Sequence, residues 1–249
     1  MKRKIYLKTF PNLMIYLLLL FAFVPPVIYL AWIRKTEKIE IERWGPLLFT
    51  FFWGATISIV IALFLEVFLS ISLKDLFENY NFLALFLGVV VAPIVEEFAK
   101  PTALSLSFIR KNINELEDGL IYGAAAGLGF SATENLLYGM KFADQGWIVL
   151  IALFYTRTIG CCLLHASATA LTGYGYSIDL IEKRGFKAIL PYFGLAILAH
   201  SIYNLFAFSS QFTYQVFGVV IAITFAVSMM IWVRKKIRML DRYEGKSAI

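Results

Sequence analysis

Residues 82–109 read FLALFLGVVVAPIVEEFAKPTALSLSFI, an apolar stretch that is long enough to cross a bilayer as a helix. Two adjacent carboxylates, Glu96 and Glu97, lie in the middle of this stretch. An ionised carboxylate at the bilayer centre costs about 2.5–3.5 kcal/mol on insertion scales. Lys100 follows Glu96 at the i,i+4 spacing and is the nearest counter-charge in the sequence. Polar groups placed at such a cost typically mark a transport pathway or a catalytic site.

The rest of the 249-residue chain is also apolar, with 60% hydrophobic residues and a mean hydropathy of +0.74. Soluble domains are about 45–50% apolar, so we expect an all-α, polytopic protein that forms one integral-membrane domain over residues 1–249. Seven transmembrane helices are predicted, or eight if one crossing is not recognised. Their approximate ranges are 12–33, 46–71, 82–109, 118–140, 147–175, 188–208 and 213–233. The fifth apolar run continues to about Ile181, so we expect that helix to be tilted, broken or extended.

The basic residues are distributed unevenly between the two sides of these seven spans. Six Lys and Arg residues fall on the side of the N-terminus and fifteen on the other side, which should therefore be cytoplasmic. The run Lys2-Arg3-Lys4 at the N-terminus favours the opposite orientation. The net charge of +6 is typical of anchoring beside anionic lipid, and we expect no nucleic-acid partner. The plasma membrane of a prokaryote is the expected location.

Polar residues also interrupt the fourth, fifth and sixth predicted spans. The fourth contains Glu134 and Asn135, one turn after Phe130. The fifth contains Arg157 and His165, followed one turn later by Thr169, and the sixth places His200 and Asn204 on one face at i,i+4. The two histidines of the chain are therefore both expected inside the membrane.

Each of these residues also has a structural interpretation. A single intramembrane His or Asn often hydrogen-bonds a neighbouring helix for about 1 kcal/mol. Thr169 is expected to pack between helices, and so are Cys161 and Cys162, which are adjacent to each other. Arg157 is expected to offset a buried carboxylate. Small residues, including Gly123, Gly127 and Gly129, should allow close helix approach and press Glu134 towards a neighbour. Three carboxylates and two histidines together, however, match a site that activates water.

Such a set can hydrolyse a peptide bond. Glu96 or Glu97 could deprotonate water, and His165 or His200 could position that water or protonate the leaving amine. Asn204 is a neutral donor suited to an oxyanion. The same residue types could hold zinc, and the candidate ligands are Glu97, Glu134, His165 and His200. Because Lys100 and Arg157 offset two of the three buried negative charges, we favour a mechanism without a cofactor and keep zinc as the alternative.

Four motifs in this order resemble the PrsW family of intramembrane proteases. They are Glu96-Glu-Phe-Ala-Lys100, Gly129-Phe-Ser-Ala-Thr-Glu134-Asn135, His165-Ala and His200-Ser-Ile-Tyr-Asn204. The resemblance covers the third to sixth helices, about residues 82–208, and extends to the related CAAX prenyl endopeptidases and bacteriocin-processing enzymes. The prenyl branch has Arg after its glutamate pair and His where this chain has Glu134, which favours PrsW.

The resemblance implies an intramembrane endopeptidase that cuts a membrane-anchored protein, of which anti-sigma factors are the known bacterial type. It makes Glu96 the water-activating base and Glu97 its partner, with Glu134, His165 and His200 completing the centre and Asn204 serving the oxyanion. Lys100, Phe130, Asn135 and Arg157 are the supporting residues. PrsW-like proteins are classed as metalloproteases, whereas the prenyl endopeptidases are interpreted as glutamate proteases, so both types stay open.

Two other functions fit parts of the pattern. A proton- or ion-coupled transporter also needs buried Glu, His and Arg, but such carriers often contain repeated broken helices, and the Glu96-Glu97 motif has no counterpart in the other half of the chain. A noncatalytic membrane adaptor derived from a protease is expected to lose a motif residue, and each is present here.

Overall fold

The computed structural model describes residues 11–208 and 212–247, and in these ranges the chain is helical without a β-strand. The predicted all-α, polytopic membrane architecture is confirmed. The basic N-terminal residues used in the orientation argument lie outside the described residues. The helices are α1 (Pro11–Arg34), α2 (Trp44–Leu76), α3 (Tyr80–Ser105), α4 (Ser107–Arg110), α5 (Leu116–Phe142), α6 (Trp147–Glu182), α7 (Phe186–Ala207) and α8 (Phe212–Ser247).

Among the described residues, six of these helices are long and apolar enough to cross a membrane, namely α1, α2, α3, α6, α7 and α8. The predicted span at 118–140 corresponds to α5, which is not one of the six. Helix α5 is instead the centre of the fold, since every residue from 117 to 132 is buried. The other helices surround it, so α5 needs small side chains more than lipid-compatible ones.

Glycines set the distance between α5 and its neighbours. A Cβ atom at Gly127 would clash with the backbone oxygen of His165 on α6, and one at Gly129 would clash with the backbone oxygen of Phe51 on α2. The predicted small-residue stripe therefore serves two opposite contacts rather than one. This close approach fixes His165 directly beside the helix that carries Glu134.

Three of the long helices contain a π-helical turn, which often occurs at functional positions. The turns are Gly54–Ser58 in α2, Leu87–Val91 in α3 and Arg157–Cys161 in α6. Helix α3 also tightens into a 3₁₀ segment at Lys100–Ser105, and Pro101 lies near the start of this segment. Helix α6 runs continuously through its π turn to Glu182, so of the expected alternatives it is the extended one.

Candidate functional site

Four helices place ionisable side chains around the ammonium group of Lys100. Its Nζ atom lies 2.9 Å from Oε2 of Glu96, 2.8 Å from Oε1 of Glu97 and 2.7 Å from Nδ1 of His165. The Lys100 side chain is fully buried, so it requires these partners. We call Glu96, Glu97, Lys100, Glu134, His165 and His200 the central site.

Glu97 has both carboxylate oxygens engaged in hydrogen bonds. Its Oε1 accepts from Lys100 and from Nδ1 of His200 at 2.9 Å, and its Oε2 accepts from the hydroxyl of Thr169 at 3.0 Å. The side chain is fully buried. Glu97 therefore orients Lys100 and His200, and Thr169, which we expected only to pack between helices, helps to hold it.

The hydrogen bonds assign a tautomer to each histidine. Nδ1 of His165 accepts from Lys100, so its Nε2 carries the proton and donates to Oε2 of Glu134 at 2.9 Å. Nδ1 of His200 donates to Glu97, which leaves a lone pair on its Nε2. The two rings meet edge to face with their centroids 5.0 Å apart. His200 thus presents an acceptor to the centre of the site.

Glu96 differs from Glu97 because its side chain is partly exposed and makes no hydrogen bond to either histidine. Its Oε2 is 3.9 Å from Nε2 of His200 and 3.7 Å from Nδ1 of His165, and both distances are too long for a hydrogen bond. The Glu96 side chain is 10% exposed, whereas that of Glu97 is fully buried. Oε2 of Glu96 is itself buried, so a water molecule could bridge Glu96 and His200 only if the two side chains moved slightly apart.

Arg157 pairs with Glu134 at the more exposed edge of the site. Its Nη2 lies 2.8 Å from Oε2 of Glu134, and its Nε donates to Oδ1 of Asn135 at 2.7 Å. The guanidinium also lies 4.0 Å from the ring centroid of Tyr138. These contacts agree with the expectation that Arg157 offsets a buried carboxylate and that Asn135 supports it.

Phe130 forms the floor under Lys100. The Lys100 ammonium lies 4.7 Å from the centroid of the Phe130 ring, and the same ring is 5.6 Å from the His165 ring. Because the face of an aromatic ring attracts a cation, Phe130 helps to keep Lys100 in place among the carboxylates.

Asn204 lies one turn beyond His200 and faces a different partner. Its Nδ2 donates to the backbone oxygen of Gly88 at 2.8 Å, within the π-helical turn of α3. In the part of the chain that the structure describes, no hydrogen bond joins Asn204 to the central site. The amide has a second N–H, and its role as oxyanion donor stays a prediction.

Two residues near the site were not selected from the sequence. Cys161, expected only to pack, has its Sγ 3.3 Å from Nε2 of His165 and 3.8 Å from Oε2 of Glu134. Glu66 is a half-buried carboxylate on α2, within electrostatic range of Glu96 and Glu134. A single Glu within the apolar run Ile59–Leu73 is the sequence feature that could have identified it.

The donor atoms of the site fit a metal ion in their chemistry. One ligand atom each from Glu96, His165 and His200 lie within 4.8 Å of one another, and the same holds for Glu134, Cys161 and His165. Zinc accepts nitrogen, oxygen and sulfur ligands of these types. Neither set includes Glu97, whose oxygens already accept from Lys100, His200 and Thr169.

Comparison with known proteins assigns the chain to a family. The model described as PrsW family intramembrane metalloprotease matches residues 42–232, which include every member of the central site. Protease PrsW of Clostridioides difficile (strain 630) is 34% identical over 122 residues, or 49% of this chain and 50% of that protein. The chain thus spans about half the length of this curated relative, and no solved structure matches it. Since the family match covers most of the chain, the protein belongs to the PrsW family of intramembrane proteases.

Proposed function

We propose that this protein is an endopeptidase that hydrolyses a peptide bond of a membrane-anchored substrate protein at the central site. The observation that carries the proposal is that Glu96, the partly exposed carboxylate of the glutamate pair, faces Nε2 of His200 at 3.9 Å without a hydrogen bond between them. A slight separation of the two side chains would admit a water molecule between them. A water molecule there would donate one hydrogen bond to each acceptor and direct its oxygen lone pair away from both. Family membership supports the reaction class.

Glu96 is the base in this reaction. It takes a proton from the water, whose oxygen then forms a bond to the carbonyl carbon of the substrate and makes a tetrahedral oxyanion. The protonated Glu96 passes this proton to the leaving nitrogen as the carbon–nitrogen bond breaks. The products are a carboxylic acid and an amine, and Glu96 returns to its ionised form.

The other residues of the site position these groups. Glu97 holds His200 so that its Nε2 accepts from the water, and Glu134 holds His165 by accepting from its Nε2. Lys100 neutralises part of the charge on Glu96 and Glu97. Asn204 is assigned to the oxyanion, because its amide has one N–H beyond the hydrogen bond to Gly88.

The family description also implies a metal ion. Glu96, His165 and His200 would hold it, with Glu97 and Glu134 orienting the two histidines from behind. A bound zinc ion would polarise the substrate carbonyl and lower the pKa of a water ligand. Lys100, however, already contacts both Glu96 and Nδ1 of His165, so we favour direct action by Glu96.

A membrane-anchored protein of the anti-sigma-factor type is the proposed substrate, on the basis of the family resemblance. Membrane proteomes of cells with the wild-type chain and with Glu96→Gln should differ by a single-span protein that accumulates uncut in the variant. With that protein in liposomes, Glu96→Gln should cleave about 10²–10⁴-fold more slowly, the usual contribution of a general base.

Glu66→Gln is the matched control for this experiment. It also removes one carboxylate from an apolar span, but Glu66 is not assigned to the reaction, so cleavage should stay near the wild-type rate. Normal turnover by Glu96→Gln would refute the role of Glu96.

A further inference from the structure

A second group of buried carboxylates lies where the α1–α2 loop meets the beginning of α5 and the later part of α8. Glu37 is fully buried, and Glu42, Asp118 and Asp241 are at most 7% exposed. Glu115, which precedes α5, lies beside them. We call Glu37, Glu42, Glu115, Asp118 and Asp241 the loop cluster.

Several of these carboxylates hold backbone groups. Oδ2 of Asp118 accepts from the backbone N–H groups of residues 114 and 115, each at 2.7 Å, in the capping box that begins α5. Oδ1 of Asp241 accepts from the backbone N–H groups of residues 38 and 39. Oε2 of Glu37 accepts from the N–H of Glu42 at 2.7 Å, and the hydroxyl of Tyr122 donates to Glu42. Capping and loop tethering thus explain part of the cluster.

These hydrogen bonds leave the negative charge uncompensated. Within the described ranges, no ion pair joins Glu37, Glu42, Asp118 or Asp241 to a Lys or Arg side chain. The guanidinium of Arg34 lies close by, but its Nε donates to the backbone oxygen of Glu42 at 2.6 Å rather than to a carboxylate.

Glu37 shows the missing compensation most directly. Among the described residues, its Oε1 has no hydrogen-bond partner, although Glu37 is fully buried. A buried carboxyl group with an unpaired oxygen is stable either when it is protonated or when a cation pairs with it.

We propose that a hard divalent cation, Mg²⁺ or Ca²⁺, binds between Glu37, Glu115 and Asp118. One carboxylate oxygen from each lies within 4.8 Å of the other two, and opposite ligands of a Ca²⁺ ion at about 2.4 Å are about 4.8 Å apart. Oxygen-only donors select Mg²⁺ and Ca²⁺ over zinc. A polar cavity of about 440 Å³ opens beside the cluster, and it is lined by Glu42 and Asn114 together with the basic residues Arg43 and Lys111.

The bound cation would connect segments that are far apart in sequence. Glu37 belongs to the α1–α2 loop, Glu115 and Asp118 begin α5, and the same loop is attached to α8 through Asp241. Helix α5 also carries Glu134, so the cation would fix the beginning of a helix that contributes to the central site.

The test is thermal unfolding of the purified full-length protein after removal of divalent ions, followed by titration with Mg²⁺ or Ca²⁺. A ligand of the folded state raises the unfolding midpoint in a saturable way. We expect such a rise for the wild type and an apparent affinity at least about tenfold weaker for Glu37→Gln, since one ligand oxygen loses its charge. Glu78→Gln is the matched control, because Glu78 is an exposed carboxylate in the loop between α2 and α3, and it should respond like the wild type.

Glu115→Gln provides a second variant in case Glu37→Gln does not fold, and it should show the same weakened response. The proposal is overturned if neither ion shifts the wild-type midpoint, or if both ligand variants respond as strongly as the wild type. It is also overturned if Glu37→Gln stabilises the protein while the wild type ignores both ions, since the carboxyls would then share protons instead. None of these measurements requires the protein to cleave a substrate, so they test the cation site independently of the proposed function.

Discussion

The central site and the loop cluster both bury several carboxylates, but they balance the charge differently. In the central site, Lys100 contacts two carboxylates and Arg157 contacts the third. Within the described residues of the loop cluster, Glu37 and Asp118 have no such partner. The bilayer interior holds no dissolved ions, so a carboxylate there must carry a counter-charge on the chain. The loop cluster adjoins a polar cavity.

The largest effect is expected when Lys100 is replaced, because the central site then loses its main counter-charge. Lys100→Met leaves Glu97 buried without the ammonium group that pairs with it, and breaking a buried ion pair typically costs about 3–5 kcal/mol. Chemical unfolding in detergent should show this loss, while Glu97→Gln/Lys100→Met should recover part of it because neither charge remains unpaired. Lys141→Met, at an exposed position, is the control. Wild-type stability in Lys100→Met would show that Lys100 is not the counter-charge.

Replacing Asn204 tests whether the central site supplies an oxyanion donor. Asn204→Ala should lower the cleavage rate by about 10²–10³, the usual effect of removing an oxyanion donor, with little change in the unfolding midpoint. Asn112→Ala removes an amide that also donates to a backbone oxygen, but Asn112 lies in the loop between α4 and α5, outside the central site, and the variant should cleave normally. A matching fall in stability and rate would instead assign Asn204 to holding Gly88.

The smallest effect is expected at Cys161. If side chains balance the central site, the thiol contributes only weak hydrogen bonds to His165 and Glu134, and Cys161→Ser should change the rate by less than about fivefold. Cys162→Ser is the neighbouring control, whose sulfur accepts from Ser131 and Asn135. A large loss confined to Cys161→Ser would favour a metal ion on Glu134, Cys161 and His165.

Much of the central site could be predicted from the sequence because its members break an apolar pattern. Glu96, Glu97, His165 and His200 are conspicuous in their spans, and their shared cost predicts that they meet. The residue pattern alone did not separate the roles of Glu96 and Glu97, which only the family resemblance assigned, since they depend on which oxygens find partners after the helices pack. Glu66 was passed over because it has no second ionisable residue within a turn of its own helix.

The loop cluster had no comparable pattern. Glu37, Asp118 and Asp241 stand in polar or basic segments, where single carboxylates are ordinary, and they are separated by more than 80 residues. Only the packing of α1, α5 and α8 brings them together. The fold class, in contrast, followed from composition, although the central position of α5 depended on glycine contacts with two different helices.

The central claim is that Lys100 and Arg157 balance the charge of the carboxylates in the central site, so that Glu96 acts without a metal ion. The direct test is the cleavage rate of purified enzyme in liposomes, treated with a zinc-selective chelator while Mg²⁺ and Ca²⁺ stay in the buffer, with the metal content of the same sample measured by elemental analysis. The account predicts an unchanged rate and no zinc at one per chain. A rate that falls to the level of Glu96→Gln and returns when one zinc per chain is added would contradict it.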